Sequence, residues 1–224
     1  MKISIIIPTL NEAEAIIASL QGLQYLRHLG HEVIVADGGS LDSTLSLAMP
    51  YIDAKVLSDK GRAKQLNAGT RIANGDVLLF LHADTLLPEN IESILLEALS
   101  LGFSWGRFDV RLSGQQFMFR IIEKMINIRS RVSGIATGDQ AIFIRKDVFA
   151  EEGGFPEIAL MEDIAMSKRL KKRSRPFCSR VRVITSSRRW EDQGIWKTIF
   201  LMWCLRLAYL CGVKSDRLAQ LYRS

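Results

Sequence analysis

Cysteine and histidine are scarce in this chain of 224 residues, with three of each. Cys178, Cys204 and Cys211 are odd in number, and their spacings match neither a zinc site nor a disulfide framework. We therefore expect free thiols in a reducing compartment. A secretion signal is also missing, because one lysine is followed by an apolar run that is too short and lacks a cleavage site. These absences predict a cytoplasmic protein.

Two common nucleotide-binding sequences are absent as well. The chain contains neither G-x-G-x-x-G, which is typical of dinucleotide-binding folds, nor the G-x-x-x-x-G-K-S/T of P-loops. The 30 lysines and arginines outnumber the 24 acids, which favours an anionic partner such as a nucleotide, a phosphate or a membrane surface. Part of this excess lies in KRLKKRSRP, residues 168–176, which is also explained by a solvated basic face.

The first hundred residues alternate between strand and helix patterns four times. Apolar runs predict strands over residues 2–9, 31–37, 54–59 and 76–85. Helical patterns follow them, with Asn11 expected to cap the first helix and Pro88 expected near the first turn of the fourth. Because the strands are continuous apolar runs, we expect burial on both faces. This pattern predicts an α/β fold with a mostly parallel central sheet and helices on both faces.

The second half of the chain has a less regular pattern. We expect strands over residues 105–113 and 139–146, an edge strand over 178–187, and helices over 117–132 and 161–173. No repeat, low-complexity tract or linker interrupts the chain. We therefore predict one domain, with residues 1–190 as its main body and residues 191–224 as a helical extension.

Polar residues follow several of the predicted strands. Ligands bind outside the carboxyl ends of parallel strands, and the Pro8–Glu12 turn, Asp37 and Asp84 all lie at such ends. Burying the Asp84 carboxylate without a partner costs several kcal/mol, and a divalent metal that bridges it to a diphosphate would offset this cost. His82 is expected on the same side of the strand, either as a metal or water contact or as a hydrogen-bonded core residue.

Two further segments near the N-terminal half suit a nucleotide, and each also has an ordinary structural explanation. The turn after Asp37, with Gly39 and Ser40, suits a nucleoside base and ribose, or is an Asp-Gly turn with a helix cap. Arg62 and Lys64 lie at a predicted helix N-terminus, where phosphate binds well, or they are ordinary surface cations.

Three later segments suit a reaction centre. Glu162 and Asp163 begin a predicted helix, where one carboxylate would serve as a general base, or both would form a favourable N-terminal charge pair. The stretch SSRRW, residues 186–190, offers two guanidinium groups and an indole to a pyrophosphate or an acceptor. A substrate-facing turn is expected at Gly138, Asp139 and Gln140.

The order of these segments resembles the family 2 inverting glycosyltransferases with the nucleotide-sugar-binding type A fold. The matching stretches cover about residues 1–190 and read IIIPTLNE, VIVADGGSLDST, GRAKQLNAG, ANGDVLLFLHADT, GDQAIFIRKDVFAEEGGF, EDIAMSKRL and RRW. The resemblance implies metal-assisted transfer of a sugar from a UDP- or GDP-linked donor to an acceptor hydroxyl, with inversion. The chain also resembles a compact bacterial subgroup labelled arsenosugar-biosynthesis glycosyltransferases.

The resemblance also implies a role for individual residues. Asp84 is similar to the metal-binding acid of the family's Asp-x-Asp motif, whose first position is His82 here, and Asp163 is similar to the general base. The expected cofactor is Mn²⁺ or Mg²⁺. The expected acceptor side comprises Gly138, Asp139, Gln140 and Glu162. Together with the strand-end residues above, the expected donor-binding set is Pro8, Thr9, Asn11, Glu12, Asp37, Gly39, Ser40, Arg62, Lys64, His82, Ala83, Arg189 and Trp190.

Two other functions stay open on the sequence. A sugar nucleotidyltransferase would use a similar layout but would attack a phosphate and release pyrophosphate. A non-catalytic nucleotide-sugar-binding protein would need no general base. No nucleic acid is expected as a partner.

Residues 194–213 are apolar on nearly all sides, since Lys197 and Arg206 lie on opposite sides of a helix. This segment predicts a homodimer interface, a peripheral membrane contact, or a helix buried on its own domain.

Overall fold

Eight strands form one sheet in the computed structural model, which describes residues 1–223. In sheet order they are β3-β2-β1-β4-β7-β6-β8-β5. Strands β1 to β4 run parallel to one another, whereas β7 is antiparallel to β4 and β6, and β5 is antiparallel to β8. The strands are β1 (Ile3–Thr9), β2 (Glu32–Asp37), β3 (Ala54–Leu57), β4 (Val77–Phe80), β5 (Thr85–Leu86), β6 (Trp105–Leu112), β7 (Ile142–Arg145) and β8 (Phe177–Thr185).

Helices cover both faces of this sheet. They are α1 (Ile16–Gly22), α2 (Gln24–His28), α3 (Thr44–Ala48), α4 (Arg62–Ile72), α5 (Ile91–Ser100), α6 (Phe117–Ser133), α7 (Lys146–Glu151), α8 (Glu162–Arg173), α9 (Arg188–Gln193), α10 (Ile195–Leu210) and α11 (Ser215–Arg223). Successive residues of β1 enter different cores: Ile5 packs with residues of α1 and α5, and Ile6 packs with residues of α4 and α8. The predicted α/β fold, with a mostly parallel sheet and helices on both faces, is confirmed.

A glycine lets α4 approach the centre of the sheet closely. A Cβ at Gly69 would lie only 2.5 Å from Cγ2 of Ile6. This close approach holds the N-terminus of α4, which begins at Arg62, beside the carboxyl ends of β1 and β2. The N-terminus of α4 therefore lies at the carboxyl ends of the strands, beside the polar residues that follow them.

Several predicted element boundaries are wrong. Asn11 does not cap the first helix, which begins at Ile16; it lies in a loop with a φ of 57°. The fourth strand ends at Phe80 instead of continuing to Thr85, and residues 82–84 form a turn that closes with a bond from the Thr85 N–H to the His82 carbonyl. Pro88 precedes its helix by three residues. The strand expected from residue 139 begins at Ile142, after a 3₁₀ turn over Gly138–Gln140.

The chain from Phe177 onward forms strand β8 and the helices α9, α10 and α11. Strand β8 is an edge strand only in part, because β5 pairs with its last two residues. Leu205 of α10 and Leu218 of α11 are buried against Met161 and Ile164 at the start of α8.

The three cysteines are free thiols, as the sequence predicts. Nowhere in residues 1–223 is a helix long and apolar enough to cross a membrane.

Candidate active site

A cavity of about 450 Å³ opens at the carboxyl ends of β1 and β4. Helix α4 contributes its N-terminal residues, the start of α8 contributes a carboxylate, and α11 closes one side. A smaller cavity of about 20 Å³, the space of roughly one water, adjoins it and shares four lining residues with it. The larger cavity is lined by Pro8, Thr9, Leu10, Glu12, Lys60, Gly61, Arg62, Gln65, His82, Ala83, Asp84, Ala159, Leu160, Glu162, Ala219 and Tyr222.

Asp37 organises the turn after β2 and does not line this cavity. Its Oδ1 accepts the N–H groups of Gly39 and Ser40 at 2.9 and 2.8 Å, and its Oδ2 accepts the hydroxyls of Thr9 and Ser40 at 2.9 and 2.5 Å. Burial alone would raise the pKa of the Asp37 carboxyl, but these hydrogen bonds, led by that of Ser40, lower it. Asp37 is thus a buried carboxylate that fixes the backbone at Gly39 and Ser40.

Asn11 joins the loop after β1 to the same turn. Its N–H donates to Oγ of Ser40 at 2.9 Å, and its Oδ1 accepts the N–H of Leu41 at 2.9 Å. The next N–H, that of Glu12, donates to Oγ1 of Thr44 at 2.7 Å. These bonds aim the Glu12 side chain into the cavity, where it lies among the lining residues.

Glu12 and Asp84 are two carboxylates with raised pKa values in one cavity. Burial raises the pKa of Glu12, and the charge of Asp84 raises it further. Burial also raises the pKa of Asp84, since its Oδ1 accepts only long bonds from the hydroxyls of Thr85 and Thr185, at 3.4 and 3.5 Å. Arg188 and Arg62 offset part of this cost in both cases. An added cation would stabilise the pair.

The carboxylates of this cavity therefore fit a divalent metal that takes only part of its ligands from the protein. No group of three or more His, Cys, Asp or Glu side chains suited to a metal occurs in the part of the chain that the structure describes. Mg²⁺ and Mn²⁺ commonly keep waters and substrate phosphates in their shells and need only one or two carboxylates. Asp84, with Glu12 beside it, matches that requirement.

His82 lies between the two cavities as a neutral imidazole. Burial, and then the positive charge of Arg62, hold the pKa of His82 well below its ordinary value. Its buried Nε2 has no hydrogen-bond partner. Because the strand ends at Phe80, the strand alternation expected for His82 and Asp84 is wrong, although the turn still brings both side chains to the cavity.

The missing side chain of Gly138 makes room for this imidazole. A Cβ at Gly138 would lie 2.5 Å from Nε2 of His82. The Gly138 N–H also donates to Oδ2 of Asp163 at 2.8 Å, so the same residue positions a carboxylate.

Replacing Gly138 by alanine is therefore expected to destabilise the protein by about 1–3 kcal/mol, as overpacking does. Urea denaturation measures this change. Gly22→Ala is the matched control, because nothing lies within 4 Å of a Cβ there, and its stability should stay the same or rise slightly. Equal stability changes in the two variants would contradict the contact between Gly138 and His82.

Glu162 and Asp163 occupy the first turn of α8 and have different surroundings. Glu162 is buried, lines both cavities and lies 3.7 Å from the Nη1 of Arg62. Burial raises the pKa of Glu162, and the charge of Arg62 opposes this rise. Asp163 lines the smaller cavity, where its Oδ2 accepts the Gly138 N–H and its Oδ1 accepts the Ile164 N–H at 2.7 Å. Each oxygen of Asp163 keeps lone-pair capacity for a substrate hydroxyl.

The predicted acceptor-side turn contains one structural residue and one unpartnered carboxylate. Gln140 is fully buried and accepts the Thr137 N–H at 3.2 Å, so it stabilises the turn itself. The Oδ1 of Asp139 is buried without a partner. Arg129 of α6 lies within electrostatic range of both Asp139 and Asp163, and burial, followed by the charge of Arg206, lowers the pKa of Arg129 to about 10.

Besides Asn11 and the residues of the turn after β2, three more predicted donor contacts do not line the cavity. Lys64 pairs with Asp59 at 2.9 Å on an exposed surface. The guanidinium of Arg189 stacks on the ring of Tyr222 at 3.6 Å. Trp190 packs against the apolar cluster of β6 and α6. In this stretch it is Arg188 that reaches the acids of the cavity, with its Nη2 3.9 Å from Glu12.

Sequence reasoning missed the residues that α11 brings to the cavity. Ala219 and Tyr222 line it, although they are more than 130 residues from the strand-end turns. The helical pattern of residues 215–223 gives no sign of this contact. Arg188 belongs to the SSRRW stretch, residues 186–190. The orientation of α9 decides whether Arg188 or Arg189 faces the acids of the cavity.

Solved structures with the same fold include two that hold a nucleotide sugar. Staphylococcus aureus TarS residues 1–349, in complex with UDP-GlcNAc, matches with a TM-score of 0.69 at 18% identity, covering 83% of this chain and 58% of that one. The mannosyltransferase PcManGT from Pyrobaculum calidifontis, in complex with GDP-Man and Mn²⁺, matches with a TM-score of 0.60 at 21% identity, covering 81% and 56%. At these identities the likeness establishes the fold.

Sequence comparison adds a family. An uncharacterised glycosyltransferase of Bacillus subtilis strain 168, YfnE, is 38% identical over 98 residues, which are 41% of this chain and 25% of that protein. The chain therefore spans about a quarter of the length of this curated relative. The family model described as glycosyl transferase family 2 matches residues 4–151, which is more than half of the chain. The match includes the turns after β1 and β4 that line the cavity, and the chain belongs to glycosyl transferase family 2.

Proposed function

We propose that this protein is an inverting glycosyltransferase that moves a sugar from a UDP- or GDP-linked donor to an acceptor hydroxyl. The observation that carries the proposal is one cavity that joins two carboxylates with raised pKa values, Glu12 and Asp84, to the acidic start of α8. Membership of family 2 supports glycosyl transfer. TarS and PcManGT, with UDP-GlcNAc and GDP-Man bound, support a nucleotide-sugar donor.

The donor nucleoside is proposed to bind along the loops after β1 and β2. The turn fixed by Asp37 presents Gly39 and Ser40, and Pro8, Thr9 and Glu12 border the cavity itself. Backbone groups held in this way can recognise a base and ribose without large rearrangement. This places the nucleoside at one end of the cavity and its diphosphate toward α4.

The diphosphate is proposed to lie between the N-terminus of α4 and Asp84. Arg62 opens that helix and lines the cavity, so its guanidinium and the helix N–H groups both favour an anion. Asp84, assisted by Glu12, would hold Mn²⁺ or Mg²⁺. The bound metal would act as a Lewis acid for the charge that grows on the leaving diphosphate.

Asp163 is proposed as the general base on the acceptor side. Its carboxylate, held by the Gly138 N–H at 2.8 Å, would take the proton from the acceptor hydroxyl as that oxygen attacks the anomeric carbon. Glu162 would keep Arg62 in place through their ion pair instead of accepting this proton. Attack from the side opposite the diphosphate inverts the anomeric configuration in a single displacement.

In this proposed function the chain has two parts. Residues 1–190 would form the catalytic body, and residues 191–224 would extend it, with α11 covering the donor cavity through Tyr222. The acceptor is unassigned. The finer resemblance to arsenosugar-biosynthesis glycosyltransferases stays a prediction about the substrate.

A panel of UDP- and GDP-sugars, incubated with the protein and Mn²⁺, tests this function through the products of donor hydrolysis. We expect one donor to release its nucleoside diphosphate. Release of pyrophosphate from a nucleoside triphosphate and a sugar phosphate would instead identify a nucleotidyltransferase. Tight donor binding without any turnover, with every acceptor class tried, would support a non-catalytic binding protein.

A further inference from the structure

Helix α10 exposes a continuous apolar stripe. Trp196, Phe200, Trp203, Leu207 and Leu210 are all exposed, with Trp196 at 72%. Their spacings of four, three, four and three residues keep them on one side of the helix. The opposite side, with Thr198 and Leu205, is buried. The sequence predicts a helix without a polar face. In the structure one side of α10 is buried and the other side is apolar and exposed, in agreement with this prediction.

Helix α6 exposes a second apolar stripe, which the sequence analysis did not identify. Its members are Phe117, Ile121, Met125, Ile128 and Val132, the last of which is 83% exposed. They again recur every three or four residues on one side of the helix. The remaining apolar residues, such as Phe119 and Ile122, point into the protein.

The two helices meet in one apolar cluster, which contains Phe119 and Ile122 of α6 and Ile195 and Ile199 of α10. On each helix the exposed stripe lies on the side turned away from its buried residues. Ten exposed apolar side chains on two helices that meet are more than isolated exposure, and such groups mark interaction sites. We call these ten residues the α6–α10 face.

The exposed charges carried by α6 and α10 themselves are basic. Lys124 and Arg131 border the stripe of α6, and Lys197 borders that of α10. Between Phe117 and Ser133 and between Ile195 and Leu210 the only acid is Glu123, which is buried. We propose that the α6–α10 face docks on a bilayer surface that contains anionic lipids.

The basic border favours a bilayer over a second copy of the chain. A two-fold contact through this face would bring like-charged lysines and arginines together, and neither helix carries an exposed acid to pair them. An anionic leaflet instead attracts each of these cations. Trp196 and Trp203 are suited to the lipid interface, where the indole ring lies among the headgroups.

Docking would also orient the candidate active site. The inward side of α10 carries Tyr209, whose pKa is raised by burial and then by the charge of Asp163. The outer side of α10 therefore carries its part of the α6–α10 face, and its inner side lies near the proposed base, Asp163. Substrates held at the membrane surface would meet the acceptor side of the protein.

Sedimentation with phosphatidylcholine vesicles, with and without phosphatidylglycerol, tests the docking. We expect binding to the mixed vesicles, weakened by salt, and a blue shift of the emission of Trp196 and Trp203. Phe200→Ser with Trp203→Ser should reduce partitioning by about tenfold or more, because the double variant buries less apolar surface in the bilayer. Lys124→Ala with Lys197→Ala should reduce it only on the anionic vesicles.

The matched control is Leu29→Ser with Leu101→Ser, which removes exposed apolar side chains outside the α6–α10 face. This variant should bind vesicles as the parent does. Donor binding should persist in all variants, so a failure of docking is distinguishable from a failure of the proposed function. Absence of vesicle binding by the parent protein, or equal loss in the control, would overturn the proposal. A salt-insensitive dimer that dissociates on Phe200→Ser would assign the face to a second copy.

Discussion

Replacing Asp163 by asparagine is expected to lower turnover by about 10²–10⁴-fold, the usual contribution of a general base. Asparagine keeps the shape of the side chain, although its one oxygen can accept only one of the two N–H groups, of Gly138 and Ile164, that hold the carboxylate. The proton acceptor is lost, whereas the donor cavity is unchanged because Asp163 lines only the adjoining smaller cavity. Steady-state kinetics with a transferred sugar, together with calorimetry of donor binding, measures both effects.

Glu162→Gln is the matched control for this variant, one residue away on the same helix. It removes the charge that pairs with Arg62 at 3.7 Å, so it should weaken donor binding more than it lowers turnover. Glu162 is a rival for the role of base, because it lines both cavities and burial raises its pKa. Near-normal turnover in Asp163→Asn, with an inactive Glu162→Gln, would transfer that role to Glu162.

Replacing Asp84 by asparagine is expected to have opposite effects on binding and on stability. Metal-dependent affinity for the donor nucleotide should fall by about 1–3 kcal/mol, the scale of losing a charged partner. The protein without metal or nucleotide should become more stable at neutral pH, because a carboxylate whose pKa is raised by burial has been removed. Calorimetry with Mn²⁺ or EDTA and thermal denaturation measure the two quantities.

The pH dependence of stability gives the same prediction a second readout. Since the folded-state pKa values of Asp84 and Glu12 are raised, their contribution to stability is present at low pH and is lost as pH rises from about 4 through those values. Asp84→Asn should reduce this loss, and Mn²⁺ should reduce it in the parent. Asp192→Asn, at an exposed position, is the control and should change neither curve. Equal donor affinity with Mn²⁺ and with EDTA would contradict a metal at Asp84.

The sheet and the end of it that carries the cavity were predictable because they depend on local patterns. Continuous apolar runs such as Ile3–Ile7 and Val33–Ala36 are buried on both faces in the structure. A parallel arrangement then brings the ends of β1, β2 and β4 together, and with them Glu12 and Asp84. The start of α8, with Glu162 and Asp163, was also readable from its acids and its helical pattern.

The remaining features depend on contacts that no local pattern specifies. The turn at His82 interrupts an apolar run, and its conformation depends on the space left by Gly138, 56 residues later. Tyr222 reaches the cavity only because Leu218 packs against Met161. Arg189, expected in the donor-binding set, stacks on the ring of Tyr222, which lines the cavity. Each of these outcomes is decided by tertiary packing between distant segments.

The central claim is that this protein cleaves a nucleotide sugar at its anomeric carbon by direct displacement. Time-resolved proton NMR of the best donor with Mn²⁺ tests it most directly, through the configuration of the first sugar product formed. We expect an inverted anomer that appears together with the nucleoside diphosphate, and we expect neither in Asp163→Asn. A retained configuration, or phosphorus chemistry that releases pyrophosphate, would contradict the account.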